Sequence, residues 1–204
     1  MAIHCINPNT IGSQAEEMFN LTNTAGKNLI NSFSSTIENL KLHWKGSDAV
    51  ANLTDLAKVY TEVTELVKNL QKIIVAVNND EVLPLQKHIV ASGGECTVGN
   101  ELAVTLNVNS AISVSTDAVE SWSDPAIITD ADVFNDFPRE FENFVTSLNE
   151  AKENLLANWL DGANRAEVVS TFADFNNNVA DYKNLITKVR DNINIVAENK
   201  QKLL

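Results

Sequence analysis

The chain has 204 residues, 44% hydrophobic and 21% charged, with a formal net charge of −12 at pH 7. That acidic balance argues against nucleic acid and against an anionic membrane surface, since both call for clustered Lys and Arg. It fits a protein partner that is neutral or basic.

The opening Met1-Ala2-Ile3-His4-Cys5-Ile6-Asn7-Pro8 has no basic segment ahead of an apolar core, so no Sec-type signal peptide is expected. No run of about 18 apolar residues occurs, so no membrane span is expected either. Cys5 and Cys96 are far apart in sequence. They pair only if the fold brings them within reach; otherwise they are two independent thiols of a reducing compartment.

A helix is expected over about 11–43. Asn9-Thr10 offers an N-cap, and Ser13 with Glu16 offers a capping box. Met18, Leu21, Leu29, Ile30, Phe33, Ile37 and Leu40 recur at steps that build one apolar stripe. Gly26 inside it costs about 1 kcal/mol against Ala. Trp44-Lys45-Gly46 breaks the pattern, and Ser47 or Asp48 can cap the next helix. That second helix is expected over about 48–79, with a buried seam through Leu53, Leu56, Val59, Tyr60, Val63, Leu66, Val67, Leu70, Ile73, Ile74 and Val77. Asp48, Asp55, Glu62 and Glu65 read as its solvated face. Asn78-Asn79-Asp80 loosens this helix and Pro84 interrupts it, with a further helical piece at 83–90.

Ser92-Gly93-Gly94 is a break, and the period then changes. Leu102, Val104, Leu106 and Val108 alternate with polar or small residues, as do Ile112 and Val114, so a β-hairpin is expected at about 101–117. A third helix starts near Thr129 or Asp130, is interrupted at Pro138, and ends near Ala157. Phe137, Phe141, Phe144, Val145, Leu148 and Leu155 form its stripe. After Asn158-Trp159-Leu160-Asp161-Gly162, a fourth helix over about 163–202 carries Val168, Phe172, Phe175, Val179, Tyr182, Ile186, Val189, Ile193 and Val196.

Shifting the chain by 115 positions lays Trp44 on Trp159, Leu40 on Leu155, Leu53 on Val168, Tyr60 on Phe175 and Ile74 on Val189. Lys68-Asn69-Leu70 falls on Lys183-Asn184-Leu185. The chain therefore reads as a duplication. One helical hairpin cannot bury its own apolar face, whereas two make a four-helix bundle. The expected fold is all-α: a four-helix bundle of two fused antiparallel helical hairpins, 1–83 and 129–204, with an insert at 84–128 that holds a small β-hairpin.

A helical hairpin with Trp-x-Gly at its corner resembles the WxG family, the early-secreted-antigen-like proteins of type VII secretion. Trp44-Lys45-Gly46 matches the motif as it stands, and Trp159-Leu160-Asp161-Gly162 carries one extra residue. The resemblance covers about 1–80 and 130–204. It implies a hairpin that pairs into a four-helix bundle, export without a Sec signal, and partner contacts at the corners through Trp44, Gly46, Trp159 and Gly162. The implied partners are a secretion ATPase or a co-secreted effector, and self-association is admitted as well. The family's Tyr-x-x-x-Asp/Glu export signal is not matched: Tyr182 is followed four positions on by Ile186, and Tyr60 by Thr64.

No catalytic constellation competes with this reading. His4, His43 and His88 have no Cys or His partner at metal-ligand spacing. Cys96, eight residues after His88, lacks any feature that fixes a nucleophile–base geometry. There is no phosphate-cradling glycine loop. Neither a cofactor nor a metal is implied. The expected role is that of a non-enzymatic substrate or adaptor of a type VII secretion system, secreted and acting through protein contacts. The alternative is a cytoplasmic helical-bundle interaction module unrelated to secretion.

Overall fold

A computed structural model describes the backbone of residues 4–5, 7–109, 111–115 and 121–204, with side chains from Asn7 onward. The chain is all-α. Helix α1, Pro8–Asn20, passes through one π-helical turn, Leu21–Gly26, into α2, Lys27–His43. After the first corner, α3, Ser47–Ala76, passes through a second π-helical turn, Val77–Val82, into α4, Leu83–Ala91. The second hairpin consists of α5, Ile127–Phe134, then α6, Phe137–Asn158, and after its corner α7, Arg165–Gln201. Among the described residues no helix is long and apolar enough to cross a membrane.

The first helix begins at Pro8, ahead of the Asn9-Thr10 cap that its sequence suggests. Asn7 is the N-cap: its side-chain oxygen accepts from the Asn9 and Thr10 backbone amides. Proline at the first helical position is preset for helical geometry and has no orphan donor to satisfy, which favours this start. Ser13 lies inside the helix, where its hydroxyl donates to the Asn9 and Thr10 carbonyls.

Pro84 does not end its helix. A proline ring crowds the carbonyl four residues back, here that of Asp80, and lacks the N–H that would reach it. The wider π-helical turn over Val77–Val82 ends just before Pro84 and accommodates both defects, so the helix continues to Ala91. Pro138 lies in the first turn of α6, just after a break at residues 135–136, where no N–H is missed.

The chain forms two compact units, and each takes segments from both hairpins. The first comprises the described residues of Met1–Lys27, with Leu66–Asn107 and Phe144–Asn177. Its core includes Ile11, Met18, Val67, Leu70, Ile74, Leu148, Leu155, Val168 and Phe172, each at most 1% exposed. Gly26 belongs here, and its missing side chain has a purpose: a Cβ would lie 2.9 Å from Val67 Cγ1 and 3.2 Å from Phe144 Cζ. Asn149 and Asn176 exchange hydrogen bonds at 3.1 and 2.8 Å between α6 and α7.

The second unit comprises Asn28–Glu65, the described residues of Val108–Asn143, and Asn178–Leu204. Its core is aromatic. Phe33 meets Tyr60 edge-on at 5.9 Å and Phe137 at 4.5 Å, and Phe134 stacks on Phe137 at 5.2 Å. Ile186, Val189 and Ile193 of α7 are fully buried. Both units bury most of the apolar stripe residues that their helices show in sequence, while Leu21, Leu66, Val179, Tyr182 and Val196 are half-buried.

The β-hairpin expected at 101–117 falls partly on residues 110, 116 and 117, which lie outside the described residues. Residues 101–109 and 111–115 are irregular and show no strand ladder. The short strands lie elsewhere: β1, His4–Cys5; β2, Trp44–Lys45; β3, Trp122–Ser123; and β4, Trp159–Asp161.

Candidate functional site

Both tryptophan corners are built alike. At the first, β2 pairs antiparallel with β3, placing Trp44 opposite Ser123 and Lys45 opposite Trp122. Gly46 adopts φ +113, a left-handed conformation that L side chains rarely take, and a Cβ there would also lie 2.8 Å from the Ser121 Cα. Its carbonyl accepts from Val50 at 3.0 Å, so Gly46 itself opens α3. The Trp44 ring is 5% exposed. His43, the last residue of α2, is held twice: its carbonyl accepts from Asp124 at 2.7 Å, and its Nδ1 lies 2.6 Å from Asp130 Oδ2. His43 is thus tied to α5 by a carboxylate.

At the second corner, β4 pairs antiparallel with β1, with His4 opposite Asp161 and Cys5 opposite Trp159. Trp159 is fully buried. Gly162 lies against the indole, and a Cβ there would overlap both Trp159 Nε1 and Glu81 Oε2. The other Glu81 oxygen accepts from the Asn164 backbone amide at 2.7 Å and from its side chain at 2.8 Å. Arg165 Nε donates to the Trp159 carbonyl at 2.7 Å. Glu81 comes from the second π-helical turn and so fastens the end of the first hairpin to the corner of the second. The pairing is reciprocal: the lead of each hairpin clasps the corner of the other.

The four corner residues singled out by sequence fall in different units, Trp44 and Gly46 in one, Trp159 and Gly162 in the other. Both indoles are core. The apolar surface near the corners comes from Leu42 and Trp122 at the first, 63% and 48% exposed, and Leu160 at the second, 59% exposed.

Helical periodicity passes over four polar residues that carry a second feature. Gln71, Asn78 and Gln86 recur at steps of seven and eight along α3, the π-helical turn and α4, as one helix face requires, with Asn79 beside Asn78, and Gln71, Asn78 and Gln86 are buried. Each bonds the backbone of residues 99–106. Gln86 Oε1 accepts from Gly99 at 3.0 Å, and Asn78 Nδ2 donates to the Asn100 carbonyl at 2.9 Å. Asn79 accepts from Leu102 N at 3.0 Å and donates to Leu102 O at 2.8 Å, as a neighbouring strand would. Gln71 Oε1 accepts from Thr105 at 2.9 Å and Leu106 at 2.8 Å. Amides at heptad spacing inside an apolar seam are the signal that could have marked this track.

Cys96 is a free thiol that donates to Asn9 Oδ1 at 3.1 Å, and His88 is exposed on α4. Among the described residues no cluster of His, Cys, Asp or Glu could hold a metal ion. The chain matches no family model, no curated protein and no solved structure.

Proposed function

We propose that the protein works through its surfaces rather than by catalysis, as a WxG-like substrate or adaptor of a type VII secretion system. The observation that carries this reading is the pair of similar corners, each a buried indole followed by a glycine at which a Cβ would crowd neighbouring atoms. A chain containing both hairpins replaces a bimolecular association by an intramolecular one, at roughly millimolar effective concentration. In this reading the indoles shape the corners, and the exposed Leu42, Trp122 and Leu160 beside them meet the partner, a secretion ATPase or a co-secreted effector. Apolar anchors in an acidic setting suit a partner surface with apolar pockets and basic surroundings.

The test is cell fractionation with and without the export ATPase. Appearance outside the cell only when the ATPase is present supports the proposal. Retention in the cytosol in both cases removes the export claim. A second reading, a cytoplasmic helical interaction module, is favoured by one observation. The position four residues after Tyr182 is Ile186, fully buried, so the acidic half of a tyrosine export signal has no exposed place there. Pull-down of a single cytosolic partner, together with retention, would select it.

A further inference from the structure

Where α1, the second π-helical turn, α4 and residues 97–102 meet, the first compact unit holds a cavity of about 360 Å³. That volume falls among small-ligand sites, which run from about 300 to 1,000 Å³. Its walls are tied to one another. Asn9 Oδ1 accepts from the Thr97 amide at 3.0 Å and from the Cys96 thiol at 3.1 Å. Gln86 reaches in two directions, donating to the Pro8 carbonyl at 3.0 Å and accepting from the Gly99 amide at 3.0 Å. Asn78 donates to the Asn100 carbonyl at 2.9 Å. Gly12 lets Gln86 lie this close, since a Cβ there would be 2.7 Å from its Nε2. The fold itself therefore shapes the cavity, and a pre-formed site has little ordering left to do when a ligand enters.

The hydrogen-bonding capacity left over sets the chemistry of the site. Asn78 is 5% exposed and lines the cavity. Both of its N–H groups are engaged, by the Asn100 carbonyl and by the Asn79 side chain at 2.9 Å. Among the described residues no donor reaches its Oδ1, and a buried carbonyl oxygen without a donor is costly unless water or a ligand supplies one. Glu16 also lines the cavity, and among the described residues its carboxylate has no ion pair or hydrogen bond. The Ser13 hydroxyl directs its proton to the Asn9 and Thr10 carbonyls of α1, which leaves its lone pairs open. No Lys, Arg or His is among the described residues that line the space. Open acceptors thus dominate, one of them charged. Against them stand the Asn9 side-chain N–H groups and the second N–H of Gln86.

We propose that this cavity is a binding site for a small hydroxylated amine. The ammonium group donates to the Glu16 carboxylate and to Asn78 Oδ1. The hydroxyl groups accept from Asn9 and Gln86 and donate to Ser13. An anion meets an uncompensated carboxylate and is turned away. A neutral polyol fits the space but gives up the charge-assisted hydrogen bonds, which are the stronger kind. The site lies apart from the tryptophan corners in its residues, and it stands whether or not the chain is exported.

The test is a titration of the isotope-labelled full chain, followed through its backbone and side-chain amide resonances. The probes are serinol, glycerol and glycerate, which share one carbon skeleton and differ in charge. Serinol is expected to move the Asn9, Asn78 and Gln86 side-chain amides and the Gly99 and Asn100 backbone amides together. Those shifts should saturate with a Kd of about 1–10 mM, as befits so small a ligand. Glycerol should bind at least about threefold more weakly, the scale of one solvent-facing ion pair, and glycerate should not bind. Glu16→Gln changes an exposed residue with little change of shape. It should weaken serinol by about threefold or more and bring it level with glycerol. Ser13→Phe, also at an exposed position, should fill the cavity and abolish the saturable shifts for serinol. Shifts that do not saturate, equal binding of serinol and glycerol by the wild type, or serinol binding untouched by Glu16→Gln and Ser13→Phe would each overturn the proposal.

Discussion

The Nδ1 atom of His43 lies 2.6 Å from Oδ2 of Asp130, whose side chain is only 8% exposed. The imidazole gives a buried carboxylate its partner and fixes the end of α2 to α5. Removing the imidazole strands the carboxylate away from water. His43→Ala is expected to destabilise the chain by about 1–3 kcal/mol, the cost of an unsatisfied buried polar group. The double variant His43→Ala/Asp130→Ala should lose less than the two single losses added together. Urea denaturation of the three variants measures this, and strict additivity would show that the two side chains act independently.

Gly162 is confined by two polar atoms. Its lack of a side chain leaves room for Trp159 Nε1 and Glu81 Oε2 in a closely filled corner. Gly162→Ala must push the indole or the carboxylate aside, and Glu81 is already committed to Asn164. The expected loss is about 1–3 kcal/mol, the usual range for overpacking. A thermal midpoint unchanged from wild type would mean that the corner is looser than its geometry.

The three tryptophans divide into two classes. Trp44 and Trp159 are 5% and 0% exposed, and Trp122 is 48% exposed. Trp44→Ala should cost about 3–5 kcal/mol, as for other large buried side chains. A loss under about 0.5 kcal/mol, the level of an ordinary surface change, would place the ring in solvent. Iodide should quench the emission of Trp122 alone, and Trp122→Phe should remove the quenchable fraction with little loss of stability.

The phenol of Tyr182 is displaced from its ordinary titration. Burial raises its pKa above the usual 10.0, and the nearby charges of Glu62 and Asp181 raise it further. The folded chain therefore holds the phenol proton more tightly than the unfolded chain does. That contribution is fully present below about pH 10 and fades as pH rises through the higher folded value. Denaturant midpoints taken from pH 9 upward should fall less steeply for Tyr182→Phe than for wild type. Parallel profiles would assign the alkaline loss to other groups.

Much of the helical framework was legible because amphipathic stripes leave a periodic trace. Phe33, Leu56, Leu148 and Val189 were marked by spacing and lie in the core. The corners were legible through Trp44 and Trp159. Three things were not. The Asn7 cap was hidden because Asn9, Thr10 and Ser13 offer competing caps within one turn, and Pro8 decides among them. The π-helical turns leave no periodic signature of their own. The alternation of Leu102, Val104, Leu106 and Val108 was indistinguishable from a strand, since it reports an extended chain and not the identity of its partner. Here the described part of that chain is bound by Asn79 and Gln71, side chains of a helix. At the candidate site, sequence named the corner residues but could not tell a buried indole from an exposed one, and the exposure of Leu42 and Leu160 leaves no sequence signal because a single apolar residue at a helix end is ordinary.

The reciprocal clasp sets an order on synthesis. Residues 4–5 and the first corner emerge from the ribosome long before 159–161 and 122–123, the strands that pair with them. The nascent first hairpin must therefore wait with its apolar stripe uncovered, a state in which a holding chaperone has an obvious client. Only when translation has delivered the second corner can residues 4–5 find their place.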